Sequence, residues 1–259
     1  RITLYFPNGF TPTVRTALLA CIAEYLRDAA GAVTRGSVPW SRGWVAAGPE
    51  LAAQLETWVA AAPANTPWDF VATGAAEDDE ASPFHIEVVS AASWQQKTDG
   101  QLSYLTATFP VTWFSRREER MPALMLKWAG RVVARHGYGG FSFFLPTSRS
   151  ACARIEGHVY QLALRHPGIE LDYPVSQLQD VSDRPKGINW LTALGDELLD
   201  AVGGPDAVAA QLPDGARLHR YGGGAIIQLG AAPQIGDVVQ HNVPESYAEL
   251  NRLLQPIRV

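Results

Sequence analysis

The chain is poor in cysteine, in positive charge, in long apolar runs and in histidines at useful spacings, and each shortage closes a class of function. Two cysteines in 259 residues, Cys21 and Cys152, cannot supply a disulfide framework or a four-thiolate zinc site. Both fall in apolar, helix-like stretches, so buried free thiols in a reducing compartment are expected. None of the six histidines, His85, His136, His158, His166, His219 and His241, stands at an H-x-x-x-H spacing, and none has a cysteine at ligand spacing, so no metal ligand is nominated. Lys and Arg number 21 against 26 Asp and Glu, a net charge of -5. A protein that binds nucleic acid directly needs a basic face that displaces counterions from phosphate. The densest basic stretch here, Arg116-Arg117-Glu-Glu-Arg120, is broken by glutamates. With no apolar run of about 18 residues, no membrane span is expected. The opening Arg1-Ile-Thr-Leu-Tyr-Phe6 has no charged segment leading into an apolar one, so a cytoplasmic location is expected.

Catalytic signatures are equally scarce. There is no G-x-S-x-G, and neither cysteine carries the local signature of a catalytic thiol. Gly222-Gly-Gly224 runs into Ala225-Ile-Ile-Gln-Leu229. A phosphate loop would instead reach a Lys and a Ser/Thr at a helix start, so close backbone approach or a bulge is the better account. Asp237, just after Gly236, reads as a turn-capping carboxylate. No catalytic residue and no cofactor are assigned, and the chain is read as a non-enzyme. A hydrolase or nuclease whose site is dispersed along the chain is the alternative.

What is present is ordinary globular material, 47% hydrophobic and 18% charged, with eight tryptophans that belong mostly in a core. The length suits one domain, residues 1–259, with a division into similar lobes 1–147 and 148–259 as the alternative. Ile2–Phe6 alternates as a strand. Thr11 caps a helix that Pro12 opens, with Val14, Leu18, Ile22, Tyr25 and Leu26 on one face. A second helix spans Pro49–Ala61, with Leu51, Leu55, Trp58 and Val59 inward. Phe84–Val89 and Tyr104–Phe114 read as strands, with a polar hairpin connection over Gln95–Gly100. Helices follow over Met121–His136, stopped by Gly137-Tyr-Gly-Gly140, and over Ser150–Arg165, with Ile155, Val159 and Leu162 inward. Phe141–Leu145 reads as a strand between them. Tyr173–Gly187 reads as loop, and Leu191–Val202 as roughly helical. Arg217–Tyr221 and Ala225–Leu229 are the last strands, and Pro244–Leu254 the last helix. Strands and helices mix without strict βαβ alternation. That predicts an α+β fold of mixed, mostly antiparallel sheet packed against helices.

Two kinds of residue are candidates for meeting a partner. Glu77-Asp78-Asp79-Glu80 is the densest acidic run. It reads either as a solvated loop or as an acidic prong aimed at a basic cleft, where opposite charge speeds encounter and rejects wrong partners. Trp40, Trp44, Trp68 and Trp94 stand in loop-like or polar surroundings, as core rings pinning loops or as binding anchors. The candidate partner-binding set is Glu77, Asp78, Asp79, Glu80, Trp40, Trp44 and Trp94.

Four blocks carry a family likeness: Gly187-Ile-Asn-Trp-Leu-Thr-Ala-Leu-Gly195, Tyr221-Gly-Gly-Gly-Ala-Ile-Ile-Gln-Leu-Gly230, Ala232-Pro-Gln-Ile-Gly-Asp237 and Leu254-Gln-Pro-Ile-Arg258. With Leu4-Tyr-Phe6 and Gly137-Tyr-Gly-Gly140, the chain resembles the bacterial type VI immunity family over nearly its whole length. The resemblance implies an antitoxin of a type VI secretion effector. Such a protein binds the toxin domain, often a nuclease, and blocks its active site or substrate path. The implied partner is a basic, nuclease-type effector, and no catalytic residue is carried over. An effector chaperone or adaptor is a further alternative.

Overall fold

The computed structural model describes residues 1–39, 43–115, 117, 119–171, 181 and 184–258. Its frame is one open sheet of ten strands. In chain order the strands are β1 (Ile2–Phe6), β2 (Arg35–Ser37), β3 (Val45–Ala46), β4 (Trp68–Thr73), β5 (His85–Ser90), β6 (Ser103–Thr108), β7 (His136–Gly139), β10 (Leu191–Gly195), β11 (Ala216–Tyr221) and β12 (Gly224–Leu229). The spatial order is β11-β12-β10-β7-β1-β6-β5-β4-β2-β3, and every neighbouring pair is antiparallel. A short parallel pair, β8 (Phe141–Ser142) with β9 (Ile169–Glu170), stands apart. The helices are α1 (Pro12–Ala29), α2 (Pro49–Ala61), α3 (Ser93–Asp99), α4 (Val111–Phe114), α5 (Arg120–Val132), α6 (Arg149–Arg165), α7 (Asp196–Asp200), α8 (Pro205–Ala210) and α9 (Glu245–Leu253), with a 3-10 turn at Gln255–Ile257. This is the expected α+β class. Strands from both sides of residue 147 share the one sheet, because β7 pairs with β10.

The two faces of the sheet differ in chemistry. Ile2, Leu4, Phe6, Phe70, Ile86, Val88, Leu105 and Leu191 join one apolar cluster with α1, α2, α5 and α9. Alternation sends Thr3, Tyr5, Glu87, Tyr104, Thr106, His136 and Tyr138 to the opposite face, as the strand registers require. That second face is polar yet largely buried, and its groups pair with one another. Thr3 Oγ1 meets Thr106 Oγ1 at 2.9 Å, and the His136 ring packs 4.8 Å from Tyr5.

Local chemistry explains the elements that were legible. Thr11 accepts a hydrogen bond from the Val14 amide at 3.4 Å and Pro12 opens α1. Gly223, with φ at +104°, turns the β11–β12 hairpin. Tyr247, Leu250 and Leu254 are buried as the period of α9 requires. Cys21 is buried and unpaired, and Cys152 is half-buried and unpaired.

Several expectations are corrected. The strand expected to reach Phe114 stops at Thr108, and Pro110 opens α4 instead. Gln95–Gly100 does connect the antiparallel pair β5–β6, but as most of α3 rather than as a turn; the Gln95 side chain accepts from the Ala92 amide at 2.7 Å. The helix expected to reach His136 ends at Val132, where Val133 turns left-handed. His136–Gly139 is then a central strand, and Phe141–Leu145 is strand only over Phe141–Ser142. Gly137 serves proximity rather than termination, because a Cβ there would lie 2.4 Å from the Thr3 carbonyl oxygen. Leu191–Gly195 is strand, not helix. Its five residues are all buried, so no alternation marked it. Strand β4 went unrecognised, and Trp68 inside it is 3% exposed and packs on Trp58. Ile155 faces outward on α6, which buries little beyond Ala151 and Val159. The stretch 173–187 lies largely outside the described residues.

Candidate functional site

Strands β4 and β5 are joined by the segment 74–84, which carries the acidic run. The turn is built from within. The Thr73 hydroxyl accepts from the Ala75 amide at 3.2 Å, and Gly74 donates to the Phe84 carbonyl at 2.9 Å. Glu80 folds back to accept from the amides of Ala76 and Glu77 at 3.1 and 3.4 Å. One acidic residue of the run is therefore spent on shaping it. Asp78 is held from two sides. Arg35 of β2 reaches its carboxylate at 2.9 Å, while its backbone carbonyl accepts from the Ser148 amide at 2.8 Å and the Thr147 hydroxyl at 3.1 Å. Ser148 is also the cap of α6. Glu77 and Asp79 are exposed, and among the described residues their carboxylates have no partner.

Trp44 completes this corner. The Arg35 guanidinium lies 4.2 Å from the centroid of its ring and donates through Nε to the Ala75 carbonyl at 2.8 Å. Trp44, Glu77, Asp78 and Asp79 thus wall a single open hollow of about 480 Å³, bordered on the other side by Ser148 and Arg154. Trp44 also walls a second, adjoining cleft of about 450 Å³ between the polar face of the sheet and the segment 144–152.

That cleft is mixed in character. Phe144, Leu145, Pro146 and Val71 line it beside Asp69, His85 and Glu87. The Tyr104 hydroxyl donates to Glu87 at 2.8 Å, and His85 Nε2 stands 3.9 Å from the same carboxylate. Burial alone would raise the Glu87 carboxyl; His85, Tyr104 and Arg1 outweigh it and hold the group below the usual range. Asp69, exposed at the rim, moves the other way. Partial withdrawal from water raises it first, and the charge of Glu87 adds to that.

The structure brings together Trp44, Glu77, Asp78, Asp79 and, as a brace, Glu80. Trp94 is 61% exposed, but it sits on α3, at the far end of β5 from the acidic turn. Trp40 lies outside the described residues. Sequence reasoning did not nominate Arg35, Asp69 or Glu87. Asp69 was readable only if Trp68–Thr73 had been recognised as a strand. No group of three or more metal-ligating side chains converges among the described residues, and none of their helices is long and apolar enough to cross a membrane.

Residues 17–259 match the family TsiV, described as type VI immunity for VRR-NUC. The chain belongs to the TsiV family. Its fold is similar to that of the Pseudomonas aeruginosa T6SS protein PA0821, with a TM-score of 0.88 and 28% identity over 99% of this chain and 75% of the other. No curated protein matches the chain. The hollow at Trp44 joins the exposed carboxylates of Glu77 and Asp79 to an aromatic ring in one place.

Proposed function

We propose that this TsiV protein neutralises a VRR-NUC effector by seating the acidic turn and Trp44 in the channel through which the nuclease takes up nucleic acid. The observation that supports the reading is the shared hollow. Glu77 and Asp79 present unpaired carboxylates, and Arg35 fixes both the turn and the Trp44 ring beside them. A nuclease is basic where phosphate lies. Fixed carboxylates at that place imitate the backbone and speed encounter, and an aromatic ring supplies desolvated contact. Safety against a lethal enzyme asks for nanomolar binding or better, about 12 kcal/mol, within reach of an interface of roughly 1,600 Å². The protein acts by occupying space and charge, without turnover, in the cytoplasm where DNA is at risk.

A hydrolase reading draws on the convergence of Asp69, His85 and Glu87 in the adjoining cleft. The serine of that cleft weighs against it, because Ser82 donates to the Phe84 carbonyl at 3.0 Å within its own loop rather than to His85.

Co-expression tests the proposal. Cells producing the cognate VRR-NUC effector should grow when this protein is present. Trp44→Ala and the pair Glu77→Gln with Asp79→Asn should each weaken that protection while leaving the folded protein at normal levels. Protection by the parent chain that none of these changes reduces would move the interface elsewhere. No protection by the parent chain would end the inhibitor reading.

A further inference from the structure

Resting on the inhibitor reading, we infer that the cleft beside Trp44 receives one basic side chain of the effector, an arginine or a lysine, with its aliphatic stem against the apolar wall and its charge at Asp69. The cleft, about 450 Å³, is large enough for such a side chain and its flanking backbone. Its walls suit the two halves of that side chain. Phe144, Leu145 and Val71 offer apolar surface to the methylenes, which long basic side chains bury readily. Trp44, which already carries the Arg35 guanidinium over its ring, adds apolar surface to the same wall.

The carboxylates are placed for a cation. Val71 stands opposite Glu87 in the β4–β5 register, and Asp69 is two residues along on the same face, a diagonal separation of roughly 7–8 Å. One guanidinium spans that gap better than a water does, because its donors are spread over a planar fork. Glu87 already has Tyr104 and His85 beside it. Asp69 has no cationic partner among the described residues, and it carries the penalty of facing Glu87. A cation arriving there is attracted by two carboxylates rather than one, so the cleft gains more from a basic side chain than an isolated surface carboxylate would. Arg149 lines the same cleft from the α6 side and is exposed. Arg1 lines the cleft as well and acts on Glu87, so Arg1 and Arg149 are the internal competitors for its carboxylates.

Two measurements test the inference. In the first, Nα-acetyl-arginine amide is titrated into the purified protein while backbone and side-chain NMR signals of β4 and β5 are followed. Saturable shifts at Asp69 and Glu87 are expected, lost in Asp69→Asn and strengthened in Arg149→Ala. In the second, effector affinity is measured for the parent chain, Asp69→Asn and Asp69→Glu. Asp69→Asn should weaken binding about tenfold or more, and Asp69→Glu should restore most of it. A parent chain that binds and inhibits the effector, an Asp69→Asn variant of equal affinity, and no saturable shift with the arginine probe would together overturn the inference and leave the inhibitor reading standing. A parent chain that does not bind the effector would sink that reading instead, and the probe titration would then decide the cleft alone.

Discussion

The Arg35 guanidinium lies over Trp44 at 4.2 Å and pairs with Asp78 at 2.9 Å. One side chain from a short strand therefore sets the spacing between an aromatic ring and an acidic turn distant in sequence. Arg35→Ala should cost about 2 kcal/mol of stability: the pair with the well-exposed Asp78 carboxylate contributes little, but Arg35 itself is largely buried and its loss leaves the Ala75 carbonyl without its partner. It should cost inhibition too, about tenfold in affinity, because the turn and the ring lose their common brace. Arg35→Lys keeps the charge and loses the planar fork, and should behave like Arg35→Ala in binding. Chemical denaturation alongside an inhibition assay separates the two effects.

Glu24 of α1 is 3% exposed and accepts from Lys127 at 2.9 Å, Arg131 at 2.9 Å, Arg120 at 3.2 Å and the Trp128 indole at 3.3 Å, all from α5. Glu24→Ala leaves Lys127, Arg131 and the Trp128 indole without their acceptor, while Arg120 keeps its pair with Asp28 at 2.9 Å. Since those cations can turn to water, a loss of about 3 kcal/mol is expected, at the lower end for broken buried pairs. The denaturation midpoint should fall with an unchanged slope.

Gly137→Ala places a methyl 2.4 Å from the Thr3 carbonyl oxygen and 3.0 Å from the Leu4 Cα. Both obstacles are backbone in the neighbouring central strand, so neither can swing aside. A loss of about 3 kcal/mol or failure to fold is expected, read from soluble yield and thermal unfolding. Near-normal stability would show that β1 and β7 are further apart than described.

Asp237 has its carboxyl lowered to about 2, chiefly by hydrogen bonding to Arg165, with the Gln240 and Val239 amides adding to it. A depressed carboxylate stabilises the fold above its unfolded value, here 3.8, and that contribution is lost as pH falls through the folded one. The parent chain should therefore be more stable than Asp237→Asn at pH 6. The gap should narrow as pH falls from 4 toward 2, as followed by denaturation at a series of pH values.

Much of this arrangement could be read from the chain before its fold was known. α1 announced itself through its cap and a 3.6-residue period, α2 and α9 through the period alone, and the β11–β12 hairpin through its glycines. Among the strands that escaped notice, β7 and β10 share a physical cause, whereas β4 alternates, with Trp68, Phe70 and Ala72 buried and Asp69 exposed. β7 and β10 are buried on both faces, so neither shows alternation, and β7 carries glycines where β1 runs too close for a side chain. The acidic run was legible as composition. Its pairing with Trp44 was not, because Arg35, which joins them, sits in a three-residue strand too short for any periodic signal. Asp69 and Glu87 were hidden for a related reason: each is one polar residue in a strand, and only the β4–β5 register sets them on the same face.

The central claim is best tested by titrating the purified protein into a fixed amount of a purified VRR-NUC effector while DNA cleavage is recorded. Cleavage should fall linearly and stop at one inhibitor per nuclease, with the break displaced in the Trp44→Ala and Glu77→Gln/Asp79→Asn variants. Cleavage that continues unchanged at a large molar excess of correctly folded protein would contradict the claim.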